Sequence, residues 1–478
     1  MAWSRAWARR LWGGVEPTPL ERATLSNYLC GNFFQGLWWS GYLLIPYVLA
    51  KSLGAPGSLI TLSVMMETFG MFLALYWGHL LATRWHRGSY LVWAGVLGRL
   101  SLLGTLLVHS AGQMIGLLAF TYFFSAMLYP AQNSIFQANF RAELRGRYFG
   151  LGSLIQNGVA VLASLGVGWL LDRDAGLFRV VYAALGVAGF VHLALLARVP
   201  EPSPAAGPSP AAAAAAGAVG GPAVAPAAAA TLAPLPRLFG LLQVPALAVG
   251  PFQPGRVLRG LVRPFTDALA TYRRDRAFHW FEWNFMTYGA AFMCLNPIVP
   301  IFLTERLGLN YQQISTARIV IGQIGVAALG PLMGRLMDRW HPTRLCALTF
   351  GLIALYPAAL DLAGIAPVAA PVRLVYLAFA LYSVGMAGIN VAWNVGSIAF
   401  APPGQGGYYQ GIHVAMVGIR GMVGPLLGYA AYELFGFRAV FWLAAALFLA
   451  ASASSAALWR SLRRGTAGTA GRSDGRGP

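Results

Sequence analysis

Charge is what this 478-residue chain has least of: Asp, Glu, Lys and Arg together make up 10% of it, against 57% hydrophobic residues. So large an apolar share cannot sit in water without exposing extensive apolar surface, and a bilayer is the solvent that the composition calls for. Acid is scarcer than base, with 15 Asp and Glu against 34 Lys and Arg, and Lys51 is the only lysine. The net charge of +19 would suit nucleic acid if the basic residues clustered on a soluble domain. No such domain is visible, so no nucleic-acid partner is expected.

Cysteine is equally sparse. Cys30, Cys294 and Cys346 lie in apolar segments without C-x-x-C spacing, which argues against both a disulfide framework and a metal centre. The chain also has no H-E-x-x-H, no G-x-S-x-G and no P-loop lysine, so metalloprotease, hydrolase and ATPase signatures are missing. The expectation is a non-enzyme without cofactor or metal. Residues 1–12 are basic and aromatic but lack a continuous apolar core, and they read as an interfacial lead rather than a cleaved signal.

The chain does hold a repeat. Pro46, Leu49, Leu53 and Gly54 form P-x-x-L-x-x-x-L-G, and Pro300, Leu303, Leu307 and Gly308 form it again; each is followed by an apolar run ending in Ala74-x-x-x-Gly78 or Gly330-x-x-x-Gly334. A duplicated multi-helix membrane unit is the usual build of a secondary transporter. Apolar segments of about 20 residues, enough to cross ~30 Å of hydrocarbon, fall near 26–48, 57–81, 89–109, 113–136, 148–171 and 177–197. Six more fall near 278–302, 312–334, 343–363, 373–399, 408–432 and 437–459.

The predicted architecture is an all-α integral membrane protein of 12 transmembrane helices in two six-helix bundles, at 1–198 and 277–462. Between them, 199–276 is an Ala/Pro-rich linker, interrupted by proline too often to span a membrane. Its end alternates Arg256, Arg259, Arg263, Arg273, Arg274 and Arg276 with apolar residues, which suits an anionic lipid surface or a solvated charge run. Residues 463–478 read as a disordered tail. Of the Lys and Arg residues, 25 fall at the terminal and linker side of the spans and six, beginning with Lys51, at the other, which places both termini in the cytoplasm.

After the eighth span the chain reads Gly334, Arg335, Leu336, Met337, Asp338, Arg339 and, five residues on, Arg344. This resembles the G-x-L-x-D-R-x-x-x-x-R signature of the major facilitator superfamily, at the place where that family carries it. The loop after the second span keeps Gly78, Leu80, Arg84 and Arg87 but puts Ala82 where the acid should be. The resemblance implies two halves that rock about a central site, with helices 1, 4, 7 and 10 lining the cavity. It also implies that the loop acid sits against the start of a helix in the other half, where unpaired N–H groups favour negative charge. Asp338, with Gly334 and Arg339, is therefore expected to face the basic start of helix 5, at Arg141, Arg145 and Arg147, as a cytoplasmic latch. The plainer alternative is that Asp338 solvates a loop.

Charge at bilayer depth is the next signal, because it costs several kcal/mol unless paired and often marks a pathway. Glu67 on helix 2 and Arg420 on helix 11 fall roughly 16 to 18 Å from the cytoplasmic end at about 1.5 Å per residue. Arg99 reaches a similar depth on helix 3, so Arg99, Glu67 and Arg420 are expected to form a buried cluster, serving either as a clamp between helices or as a site of proton coupling. Glu282, near the start of helix 7, is a further coupling candidate or an interfacial acid that snorkels. His192 and His413 read as ordinary helix residues.

Candidate cavity residues on the four lining helices are Asn27, Asn32, Gln35 and Trp38; Tyr129, Gln132, Asn133 and Gln137; Asn284, Tyr288 and Asn296; and Tyr382, Asn390, Trp393 and Asn394. Amides and aromatics suit a neutral polar or amphipathic solute, while the excess of buried arginine leaves an organic anion open. Interhelical hydrogen bonding accounts for any one of them equally well. The functional expectation is a monomeric, multi-pass secondary transporter of the cell membrane, partnered by lipids and a small-molecule substrate, with protons as a candidate coupling ion. The alternatives are a transport-incompetent sensor or scaffold on the same fold, and a carrier of lipids or lipophilic drugs.

Overall fold

A computed structural model describes residues 17–84, 87–200, 269–367, 371–402 and 406–473. Most of the expected linker lies outside the described residues. In the first half, α1 comprises Pro19–Tyr42 and Ile45–Lys51, α2 is Gly57–Arg84, and α3 continues from Arg87–Trp93 through Ala94–Arg99 and Leu100–Leu107. Then follow α4 (Ala111–Ser125 and Leu128–Asn139), α5 (Ala142–Arg173) and α6 (Phe178–Ala197). In the second half, α7 is Arg276–Ile301 with Phe302–Arg306, α8 is Tyr311–Ser315, Thr316–Ile321 and Gly322–Arg339, and α9 is Pro342–Ile353 and Leu355–Ile365. Last come α10 (Pro371–Val395) and α11 and α12, the two arms of Gly406–Ser473, which turn at Gly436 with φ 76°. Among the described residues, eight helical stretches are long and apolar enough to cross a membrane.

Proline sets the breaks within these rods. α1, α4 and α9 are each interrupted three or four residues ahead of Pro46, Pro130 and Pro357. A proline ring lacks the N–H that the preceding turn needs and crowds the carbonyl four residues back. The helix restarts with proline in its first turn, where that N–H would be unsatisfied anyway.

The sequence repeat is a repeat of structure down to single hydrogen bonds. After α1, the Leu53 amide donates to Val48 O at 3.2 Å and the Ala55 amide to Leu49 O at 2.8 Å. After α7, at the corresponding positions, Leu307 donates to Phe302 O at 3.0 Å and Leu309 to Leu303 O at 2.9 Å. Gly54 and Gly308 take φ 56° and 61°, the left-handed conformation that this helix ending needs and that side chains disfavour.

Within each half the long helices pack through small residues, as membrane helices without a hydrophobic driving force must. α1 lies against α5 and α6, and α7 against α11 and α12. On α11, Gly424 and Gly428 face Met293 and the backbone of Cys294 on α7, so closely that a Cβ at either glycine would collide. Between the halves, Gly421 of α11 meets Thr68 of α2, and Gly168 of α5 meets Tyr311 and Ser315 of α8. α2 and α11 are thus in contact across the two halves.

The C-terminus departs from expectation. α12 continues to Ser473 rather than ending at 462. A helix already nucleated by packing extends at the cost of propagation alone, one hydrogen bond per added residue.

Candidate functional site: a cavity between the two halves

A cavity of about 340 Å³ lies between the halves. Trp39, Tyr42 and Pro46 of α1, Ser63 and Val64 of α2, Tyr122 of α4, and Gln156 and Asn157 of α5 line one side. Phe292 and Asn296 of α7, Arg318, Gln323 and Val326 of α8, and Tyr382, Met386 and Asn390 of α10 line the other. Its volume is at the lower end of the range for pockets that enclose small molecules. Aromatic faces supply apolar contact, amides supply donors and acceptors, and Arg318 is the only charged residue among the described lining residues. Arg318 belongs to a π-helical stretch of α8, Thr316–Ile321. The guanidinium stands 6.0 Å from the Tyr47 ring centroid.

One end of the cavity is closed by direct bonds between the halves. Both Asp172 carboxylate oxygens, at the end of α5, accept backbone N–H groups at the start of α8: Oδ1 from Tyr311 at 2.7 Å and Oδ2 from Gln312 at 2.8 Å. Beside them, Lys51 Nζ donates to Leu309 O at 2.5 Å, and the Ser52 and Tyr311 hydroxyls are 2.7 Å apart. Burial lowers the pKa of Lys51, and the nearby Asp172 carboxylate partly offsets this. With the Tyr311 hydroxyl also donating to Tyr47 O at 3.4 Å, five hydrogen bonds join the halves at this end. Asp172 does here what was expected of Asp338 at the opposite end: it places an acid against a helix N-terminus of the other half.

The expected latch residues are only partly described. The Asp338 and Arg147 side chains lie outside the described residues. Arg339 is exposed, and among the described residues nothing stands within 4 Å of a Cβ at Gly334. Arg145 Nε donates to Phe140 O at 3.0 Å. Arg141 turns toward α1, where Glu21 accepts its Nε at 2.8 Å and its Nη2 at 3.0 Å. Glu21 also completes a capping box with Thr18. Burial works against ionisation of Glu21, but the Arg141 and Thr18 hydrogen bonds hold its carboxyl below the usual range.

The structure gives the two arginines of the expected cluster separate settings, and the Glu67 side chain lies outside the described residues. Arg99 is buried with its guanidinium 3.5 Å from the Trp38 ring centroid, beside Gly189 of α6. Arg420 turns into its own half: Nη1 donates to Phe285 O at 2.6 Å and the guanidinium stands 5.6 Å from the Tyr288 ring centroid. A Cβ at Gly289 would overlap the Arg420 side chain, so this glycine makes the room.

Glu282 does not snorkel. It is buried and bonded to His413 of α11, whose Nδ1 lies 2.8 Å from Oε1 and 3.1 Å from Oε2. One turn along α7 is Phe285, whose carbonyl holds Arg420, and His413 and Arg420 are seven residues apart on α11. Glu282, His413 and Arg420 therefore line one seam of the second half.

Of the candidate cavity residues, Asn296, Tyr382 and Asn390 line the cavity. Trp38 packs on Arg99, and its neighbour Trp39 faces the cavity instead. Tyr288 stacks on Phe350 with centroids 4.7 Å apart, within the second half. Asn32 and Gln35 are buried, and Asn32 Nδ2 donates to Tyr28 O in its own helix. Asn284 is buried as well, and among the described residues neither of its amide atoms has a hydrogen-bond partner. Trp393 stands 6.1 Å from the His413 ring, and exposed Asn394 donates to Asn390 O. Gln132 is half-buried, and the Asn133 side chain lies outside the described residues, as do those of Tyr129 and Gln137. Asn27 bonds back to Ala23 O.

Sequence reasoning missed Gln156, Asn157 and Gln323 because it drew the cavity from four helices, whereas α5 and α8 also contribute. Arg318 was visible as a charge inside a span but carried no motif. The pairing of His413 with Glu282, 131 residues apart, left no local trace.

A helical membrane protein with a duplicated bundle and a cavity between the copies is built as a membrane transporter. The chain belongs to the Major Facilitator Superfamily, whose family model matches residues 28–370. No curated protein matches it. Among solved structures it is similar to the nucleoside transporter NupG, at 13% identity and a TM-score of 0.61, covering 92% of this chain and 99% of that one. A structure of a proton-dependent oligopeptide transporter matches at 14% identity and 0.63, covering 92% and 99%. The human organic anion transporter MFSD10 matches at 15% and 0.56, covering 92% and 100%. At these identities the likeness is one of fold.

Proposed function

We propose that the protein is a secondary transporter that carries a small solute across the membrane by alternating access, with the 340 Å³ cavity as its binding site. The observation that carries this reading is a cavity lined by both halves and closed at the Lys51 end by bonds between them. With the termini in the cytoplasm, as the distribution of basic residues implies, that end is the outer face. The conformation is then one closed to the outside. A mixture of amides, aromatics and one cation favours a polar or amphipathic solute over a bulk lipid, and a sensor without transport has no evident need for such a lining.

The test is counterflow in vesicles holding purified protein, with unlabelled solute inside and labelled solute outside. A panel should include nucleosides, short peptides and organic anions, the solutes named for the structural neighbours. Transient accumulation of at least one label, dependent on the trapped solute, is the expected result. Equal slow entry with protein-free vesicles across the panel would favour the sensor.

A second reading, proton-driven transport, rests on the buried Glu282 and His413 pair. A neighbour of the fold is a proton-dependent transporter. An imposed pH gradient should drive uptake by the native protein and fail to drive it in Glu282→Gln, with counterflow retained.

A further inference from the structure

At the other end of α8 from the Lys51 bonds, an arginine touches two tryptophans. Arg344, in the first turn of α9, has its guanidinium 4.0 Å from the Trp340 ring centroid and 5.0 Å from that of Trp459, near the end of α12. The two helices are fastened to each other just below: the Ser452 hydroxyl of α12 donates to Ala347 O of α9, and Gly351 of α9 packs on Ser452. Ring contacts favour the charge but supply no lone pairs, so the five N–H donors of a guanidinium still call for acceptors. Among the described residues, the Arg344 side chain has neither a hydrogen bond nor an ion pair. Arg460 and Arg464 of α12 are exposed beside it, and the one side-chain bond of this pair runs from Arg460 Nε to Ala456 O in its own helix. With exposed Leu449 and Ala453 they share a stripe about 60° wide at 100° per residue, so an outward apolar face of a membrane span ends in two cations. Leu348, one turn into α9 from Arg344, is exposed as well. Cations that rim spanning apolar surface, with indoles at the boundary, match the headgroup level of a bilayer better than a surface for a soluble acidic partner.

We propose that this edge of α9 and α12 binds an anionic phospholipid of the cytoplasmic leaflet, with the headgroup phosphate on Arg344, Arg460 and Arg464 and the acyl chains along Leu348 and Leu449. The planar fork of Arg344 suits two phosphate oxygens with parallel charge-assisted hydrogen bonds. Trp340 and Trp459 seat at the glycerol level, where amphipathic rings are favoured. A lipid so held bridges the start of α9 and the end of α12 from outside the bundle. Binding at this edge is independent of what the cavity carries.

The experiment titrates detergent-solubilised full-length protein with dioctanoyl phosphatidylglycerol or dioctanoyl phosphatidylcholine and reads bound lipid by native mass spectrometry. Native protein should bind the anionic lipid about tenfold or more tightly than the zwitterionic one, since each arginine near a lipid anion contributes roughly fivefold. Arg344→Gln should remove about fivefold of that preference, and Arg460→Gln combined with Arg464→Gln at least as much. Arg344→Lys should keep part of it, because it retains the charge without the fork. Arg273→Gln combined with Arg274→Gln removes two exposed cations just ahead of α7 and should leave the preference whole. If Arg344→Gln is not monodisperse, the outward-facing pair on α12 carries the test. Equal binding of the two lipids would overturn the site, as would an equal loss in the Arg273 and Arg274 control, which would make the attraction one of diffuse charge. Displacement of the lipid by inorganic phosphate would assign a site for a free anion instead, and displacement by polyglutamate a site for an acidic protein; each result would overturn the lipid.

Discussion

Asp172 at the end of α5 caps the start of α8 at Tyr311, with its carboxylate 2.7 Å from the Tyr311 amide and 2.8 Å from that of Gln312. One acid thereby ties the two halves through backbone groups that would otherwise be unsatisfied. A carboxylate at a helix N-terminus contributes about 0.3 to 1 kcal/mol when exposed. A bond of that size suits a latch, since a carrier that must open again cannot hold its halves together strongly.

The seam of α7 and α11 should depend on both members of its buried pair. Removing one side of such a pair costs about 3 to 5 kcal/mol, because the other is left buried without its partner. Glu282→Gln and His413→Gln should each lower the melting temperature markedly, and the double variant should lose less than the two losses added together. A thermal-stability cycle measures this, and additivity would mean that the pair is not coupled.

Gly289 and Gly330 make a matched contrast. A methyl at Gly289 meets the Arg420 side chain, whereas among the described residues nothing stands within 4 Å of one at Gly330. Gly289→Ala should destabilise by about 1 to 3 kcal/mol, the usual cost of overpacking. Gly330→Ala should be neutral or stabilising, by up to about 1 kcal/mol, because alanine is the better helix former. Differential scanning fluorimetry of the two variants decides it.

Glu21 gives a pH dependence with a fixed sign. Its folded carboxyl is held below its unfolded range, chiefly by Arg141 against the opposing effect of burial. The unfolded chain therefore takes up the proton first as pH falls. The stabilisation is complete above the ordinary carboxylate range and is lost as pH drops through the lowered folded value. Melting curves between neutral pH and about pH 3 should converge for native protein and Glu21→Gln at the acid end and separate at neutral pH. Parallel curves would assign no linkage to this residue.

Much of the fold was legible because its signals are local. Pro46 with Gly54, and Pro300 with Gly308, announce two copies of one helix ending, and both copies carry the same hydrogen bonds. Rotation about a helix axis was not legible. Trp38 and Trp39 differ by about 100° on α1, and in a helix apolar all round no periodicity tells which faces the cavity. Trp39 faces it, and Trp38 stacks on Arg99. Asp172 escaped notice because its partners are backbone amides, which every residue has. His413 and Glu282 meet only once α11 is laid against α7.

Opening and closing of the halves about the cavity is read by a distance between them. Spin labels at Arg173 and Glu305, exposed residues of opposite halves at the latched end, report their separation by pulsed electron resonance. Native protein should show a dominant short distance, and Asp172→Asn a second, longer one. Loss of about 1 kcal/mol at the latch corresponds to roughly a fivefold shift in the population of the open state. A single short distance, unchanged by Asp172→Asn and by any solute that the protein binds, would contradict alternating access.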